Sequence, residues 1–222
     1  MTLPQSSKPN FLQKLLGKNY KWYLIRITWF LATLLSLYLY KLTNKPTQNI
    51  HILKSGFDDF IPFTSVFVIP YLLYLPFLGF CLIKGVLSLD KRSRIFLIVF
   101  LISQIFANFI YLIFQTEVPR PPTNSVFFDN LVQNLVYKSD NPYNAFPSLH
   151  VINSILCGWY LRQSKNYLFF YFFIFLIIIS TTLIKQHYLI DILGGFTWCI
   201  ILYLLAKWVF KLGLKRNEAV GL

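Results

Sequence analysis

Charge is what this sequence has least of. Asp, Glu, Lys and Arg make up 13% of its 222 residues, against about 25% in a soluble domain. That scarcity, with 56% hydrophobic residues arranged in long runs, excludes an ordinary water-soluble domain and reads as one integral membrane domain. Cysteine is scarce too. Cys81, Cys157 and Cys199 all fall inside apolar runs, so no disulfide framework is indicated and the thiols read as small hydrophobes. No internal repeat or low-complexity segment is present. The first apolar run lacks a small-residue cleavage site after it, so it reads as a span and not as a signal peptide. The net charge of +13 does not indicate nucleic acid, because the basic residues are spread over loops and form no single patch. Nothing in the sequence assigns an oligomeric state.

What is present is hydrophobic sequence in six blocks. The expected spans are Trp22–Tyr40, Phe60–Ile83, Ile95–Phe114, Ser148–Tyr160, Tyr167–Ile184 and Tyr188–Phe210. Nineteen residues of helix reach about 28 Å, close to a hydrocarbon core. The fold class expected is all-α: six transmembrane helices in residues 22–210, between basic tails at 1–21 and 211–222. A short interfacial helix is expected at Phe11–Leu16, and another over Ser125–Tyr137, with Val126, Leu131 and Leu135 on its apolar side. Kinks are expected at Pro62, Pro70 and Pro76. Ser103, Gln104 and Asn108 inside the third span read as interhelical hydrogen-bonding groups.

The basic residues orient the chain. Lys8, Lys14, Lys18, Lys21, Lys84, Lys91, Arg92, Arg94, Arg162, Lys165, Lys211, Lys215 and Arg216 fall on one side; Lys41, Lys45, Lys54, Arg120, Lys138 and Lys185 fall on the other. The positive-inside rule then puts both termini in the cytoplasm of a multi-pass cell-membrane protein. His51, His150, His187, Arg120, Lys185 and Asp191 all fall on the extracytoplasmic face.

Three short polar pieces meet there: Val118-Pro-Arg-Pro121, Asn144-Ala-Phe-Pro-Ser-Leu-His150 and Lys185-Gln-His-Tyr-Leu-Ile-Asp191. His187 and Asp191 are four residues apart, on one helical face. A carboxylate there fixes the imidazole tautomer and leaves the other nitrogen free as base or nucleophile. Taken alone, the pair reads equally well as an interfacial His–Asp cap. His150, at a helix start, becomes a second catalytic candidate once His187 shares its face. Ser148 and the backbone amide of Leu149 can bind an anion at that helix N-terminus. Arg120 and Lys185 supply positive charge; the bland reading of Lys185 is a snorkelling interfacial lysine. Together these are the parts phosphoryl transfer needs: cationic donors, an in-line nucleophile and an acid for the leaving group.

Arg120-Pro121, Pro147-Ser-Leu-His150 and Ser180…His187-x-x-x-Asp191 resemble the three-part signature of the type 2 phosphatidic acid phosphatase superfamily, K-x6-R-P, P-S-G-H and S-R-x5-H-x3-D. The resemblance in motifs covers residues 116–195. The wording Asp140-Asn-Pro-Tyr-Asn-Ala-Phe-Pro-Ser-Leu-His150 and Lys185-Gln-His-Tyr is similar to the subgroup containing inositol phosphorylceramide synthases. The resemblance implies membrane helices around a site that uses no metal or other cofactor. It implies that His187, oriented by Asp191, forms a phosphohistidine, that His150 protonates the leaving oxygen, and that Arg120 and Ser148 bind phosphate. Three departures stand out: the family lysine is Ile113, the family arginine is Thr181, and the family glycine is Leu149. Lys185 is a candidate to replace one lost charge.

The function expected is hydrolysis of a phosphorylated lipid in the bilayer. Three alternatives fit the same residues: a phosphotransferase passing the group to an alcohol, a metal site of His150, His187 and Asp191, and a catalytically degenerate membrane protein. Topology is directly testable. In a cysteine-free background, single cysteines at Thr47, Asn124 and Ser139 should react with an impermeant thiol reagent in intact cells, whereas one at Ser164 should not. Labelling at Ser164 alone would put the motifs in the cytoplasm.

Overall fold

The computed structural model describes residues 20–124 and 126–220, with side chains as far as Ala206. The expected helix at Phe11–Leu16 lies outside the described residues. Seven helices follow in order: α1 (Tyr20–Thr43), α2 (Val68–Leu87), α3 (Lys91–Ile113), α4 (Phe127–Leu131), α5 (Leu149–Leu161), α6 (Tyr167–Leu183) and α7 (Leu189–Val220). Four segments are long and apolar enough to cross a membrane: Tyr20–Thr43, Ser65–Leu87, Lys91–Ile113 and Leu189–Ala206. The other two expected spans form shorter apolar helices, α5 with 13 residues and α6 with 17.

Helix α5 is the axis of the bundle. It packs against α2, α3, α6 and α7, while α1 packs on α2 and α3. Its buried residues occur on every side, from Leu149 and Val151 to Cys157, Gly158 and Leu161, as expected of a helix surrounded by others. The main core joins Phe77, Cys81, Phe96, Phe100, Ile152 and Ile177 from α2, α3, α5 and α6. The outer faces stay apolar: Leu31, Leu75, Ile105, Leu112, Phe172 and Ile200 are all more than half exposed. Such a surface requires a lipid solvent.

The polar residues inside the spans make interhelical bonds. Trp198 Nε1 donates to Ser103 Oγ at 3.0 Å, Gln104 Nε2 to Asn153 Oδ1 at 2.7 Å, and Asn108 Nδ2 to Ser36 Oγ at 3.0 Å. Asn153 in turn donates to the Tyr74 hydroxyl at 2.8 Å, extending the α3–α5 network to α2.

Several boundaries differ from the sequence expectation. The second span begins later, because Gly56–Phe60 and Ser65–Phe67 form 3-10 turns before α2. It also ends later, so Lys84 lies in the last turn of α2, where a cation suits the helix dipole. Pro76 alone of the three prolines is inside the helix body. Helix α4 runs into a π-helical turn, Val132–Tyr137. Val132 and Val136 face inward and Leu131 packs on their cluster, while Val126 and Leu135 present the exposed apolar side that an interfacial segment needs. Helix α7 continues through residues 211–220, set apart as a tail in the sequence reading. The fold is not purely helical: Ile50–His51 (β1) and Gln115–Thr116 (β2) form a two-residue parallel pair.

The segment before α2 is pinned to the start of α7 through Asp58. Its carboxylate accepts from Ser55 N–H at 2.8 Å, Ser55 Oγ at 2.6 Å and Leu189 N–H at 2.8 Å. Burial pushes the Asp58 pKa up, but the bonds from the Ser55 side chain and the Leu189 and Ser55 backbones, with Lys185 nearby, hold it below the usual carboxylate range. Asp58→Ala leaves the Leu189 N–H unpaired and should cost about 1–3 kcal/mol in thermal unfolding at pH 7. The ionised form is favoured by folding, so this contribution is complete above about pH 4 and disappears as pH falls through the depressed value. A gap between wild type and variant that persists undiminished at pH 3 would sink this account.

Candidate active site

The three polar pieces converge at one end of the bundle. Val118, Ala145 and Tyr188, one from each, form a buried apolar cluster. Val118 N–H donates to Pro142 O at 3.0 Å, and a bridge pairs Glu117 with Tyr143. Phe146 N–H donates to Thr116 Oγ1 at 2.8 Å, and Tyr111 hydroxyl to Pro147 O at 2.7 Å. Ser148 N–H donates to Asp191 O at 3.0 Å, joining the second piece to the third. Glycines permit the approach. A Cβ on Gly194 would stand 2.4 Å from Phe146 Cε2, and one on Gly195 would stand 2.9 Å from Val151 Cβ and 3.1 Å from Ser148 O.

The third piece is shaped by the end of α6. Gln186 N–H donates to Thr181 O at 2.8 Å and Lys185 N–H to Thr182 O at 3.1 Å, a Schellman closure. Its left-handed position is filled by Lys185 at φ 53°, where glycine is usual. Lys185 Nζ donates to the carbonyls of Ile61 and Asp58, and Tyr137 hydroxyl donates to Ile184 O at 2.8 Å. The structure thus turns the Lys185 amine to backbone carbonyls of the segment before α2. Burial lowers its pKa, and the Asp58 charge opposes that.

This closure delivers His187 between two partners. Its Nδ1 faces Asp191 Oδ2 at 3.4 Å, and its Nε2 faces His150 Nδ1 at 3.3 Å. His187 is 7% exposed and Asp191 fully buried. The Nδ1 contact falls within ion-pair range but is not aligned as a hydrogen bond. Asp191 Oδ2 also accepts Tyr188 N–H at 2.8 Å, which fixes the carboxylate at the start of α7. With the Nδ1 proton toward Asp191, His187 Nε2 presents its lone pair and His150 Nδ1 carries the shared proton. The His150 ring is held between Tyr71 and Tyr74, with centroids at 4.8 and 4.5 Å. His150, His187 and Asp191 do not converge on a point, as metal ligands would: Asp191 and His150 contact opposite nitrogens of His187.

The remaining candidates have clear positions. Ser148 is the N-cap of α5, its Oγ accepting from Val151 N–H at 3.4 Å. Leu149 begins that helix and buries its side chain in the core. Arg120 lies over the Tyr137 ring at 4.5 Å, with one terminal nitrogen on Tyr137 O at 3.0 Å and the other on Gln186 Oε1 at 3.3 Å. His51 stacks on Phe114, centroids 4.4 Å apart, outside this group.

Two residues were missed in the sequence. Asp140 accepts from Asn44 Nδ2 at 2.7 Å and from Tyr40 hydroxyl at 3.3 Å. Burial raises its pKa, opposed by the Arg120 charge and then by the Tyr40 bond. Gln186 is 8% exposed, and while its Oε1 holds Arg120, its Nε2 has no partner; Arg120 Nε has none either. Two adjacent buried donors without acceptors, beside a histidine pair, fit an anion. Asp140 and Gln186 both stand inside the motif wording quoted above, where neither was given a role.

The PAP2 superfamily model matches residues 48–205, well over half of the chain. The chain belongs to the PAP2 superfamily. No curated protein and no solved structure matches it significantly. Membership carries activity of the phosphatase or phosphotransferase type in a membrane protein. It does not reach the inositol phosphorylceramide synthase subgroup.

Gln186→Glu keeps an acceptor for Arg120 but replaces the free donor with a second acceptor. Inhibition by orthovanadate should therefore weaken by at least about tenfold at pH 8, since a hydrogen bond to a charged group is worth about 1.5–3 kcal/mol. It should recover toward pH 5, as the buried carboxyl takes up a proton and can donate again. Unchanged inhibition at pH 8 would confine Gln186 to holding Arg120.

Proposed function

We propose that this PAP2 protein is a six-span membrane enzyme that hydrolyses a lipid phosphate or pyrophosphate on the extracytoplasmic face through a phosphohistidine. The observation that carries the reading is His187 held between Asp191 and His150. His187 Nε2 attacks phosphorus, and the bond from phosphorus to the leaving oxygen breaks. That oxygen takes the proton from His150 Nδ1. Water then attacks the phosphohistidine with His150 as base, freeing phosphate and restoring the His187 lone pair. Arg120, the Gln186 amide and the Ser148 hydroxyl at the N-terminus of α5 hold the phosphoryl oxygens. A phosphorus atom cannot lie between nitrogens 3.3 Å apart, so substrate binding must part the two rings.

Transfer to an alcohol is the second reading. Asp140 favours it: a buried carboxylate beside Arg120 can accept a bond from an incoming hydroxyl. Product analysis with and without inositol separates the two outcomes.

The roles of the histidines predict unequal defects. His187→Ala should abolish turnover of every substrate and any acid-labile phosphoenzyme. His150→Ala should cost about 10²–10⁴-fold on alkyl phosphates, and much less on p-nitrophenyl phosphate, whose leaving group needs no acid. Rates on both substrates, with rapid-quench trapping, decide the matter. An aryl advantage in His187→Ala with a trapped phosphoenzyme would exchange the two roles.

A further inference from the structure

At the opposite end of α2 from Tyr71 lies a cavity of about 310 Å³, lined by Trp22, Arg26, Leu89, Asp90, Lys91 and Arg94. Arg26, on α1, is 2% exposed. Its terminal nitrogens donate to Gly85 O at 3.4 Å and Asp90 O at 3.2 Å, and its Nε has no partner. Among the described residues no carboxylate pairs with it. The nearest acid on the wall, Asp90, is committed elsewhere: its carboxylate caps α3 through Ser93 N–H at 2.8 Å and accepts from Ser88 Oγ. A buried guanidinium whose charge meets only neutral carbonyls is costly. Lys91 and Arg94 bring two further cations to the same cavity, and Arg94 lies over the Trp22 ring at 5.4 Å. Three cations and one engaged carboxylate leave the pocket short of an anion.

We propose that this pocket binds the phosphate of an anionic lipid headgroup. Phosphate is a suitable anion because it accepts several donors at once, including the free Arg26 Nε. The lipid is favoured over free phosphate by the rim: Trp22 and Leu89 are 46% and 43% exposed, offering an aromatic shelf at headgroup level and an apolar path for an acyl chain. The site is separate from the histidines, and its reading does not depend on the activity proposed above.

The test uses purified full-length protein in a neutral detergent, with melting temperature as readout. Dioleoyl phosphatidylglycerol should raise Tm by roughly 3 °C or more, whereas phosphatidylcholine and inorganic phosphate should not. Lys91→Gln/Arg94→Gln, which changes positions outside the helix-tying bonds of Arg26, should melt near wild type and lose the rise. Protection by inorganic phosphate, also lost in the variant, would support a phosphate pocket but assign it to the soluble ion. Equal protection by phosphatidylcholine, or a rise fully retained in the double variant, overturns the proposal. Should the double variant not fold, Lys91→Gln alone is read the same way.

Discussion

The site depends on one backbone hydrogen bond, from Ser148 N–H to the carbonyl of Asp191 at 3.0 Å. It joins the N-cap of α5 to the first turn of α7; His150 stands in the first turn of α5, and His187 in the short connection between the closure of α6 and the start of α7. The bond is reachable only because α7 presents Gly194 and Gly195, where any Cβ would strike Phe146, Val151 or the Ser148 carbonyl. Around that seam the rest is support. Tyr111 holds Pro147, Thr116 holds Phe146, and Asp58 fixes the N–H of Leu189. The 3.3 Å contact between His150 and His187 lies beside the same seam.

Much of this was legible in the sequence, and the reason is locality. His187 and Asp191 meet across the start of α7, four residues apart, a local relation that needs no tertiary knowledge, although His187 stands two residues before the helix and not on its face. The apolar blocks announced helices because a bilayer forbids most alternatives. What stayed hidden depends on partners distant in sequence. Lys185 read as a spare cation, yet its amine is turned to carbonyls 124 and 127 residues away. Gln186 was quoted in the Lys185-Gln-His-Tyr wording but given no role, and its bond to Arg120 joins residues 66 apart. The inward face of the 126–137 segment, Val132 and Val136, and its π-helical turn were not anticipated, and no residue type in that stretch marks the turn.

The interior polar groups also explain why the bundle holds one arrangement. Between lipid-bathed helices apolar contact has little preference for one neighbour over another. Gln104–Asn153–Tyr74, Ser103–Trp198 and Asn108–Ser36 provide that preference, the first linking α3, α5 and α2, the others α3 to α7 and α3 to α1. The first chain ends on Tyr74, whose ring flanks His150, so the network that sets helix order also sets the orientation of a proposed catalytic ring.

The shortness of α5 has a consequence for depth. Thirteen residues cover about 20 Å, against a hydrocarbon core of about 30 Å. In the six-span reading, with Arg162 at one interface, the histidines stand about 10 Å short of the other. On that reading the chemistry would take place below the membrane surface, next to the polar segments before α2 and α5. On the hydrolase reading a headgroup would have to descend to that depth and the water that completes hydrolysis would have to follow it, so the width of the way in would set how large a headgroup can be admitted.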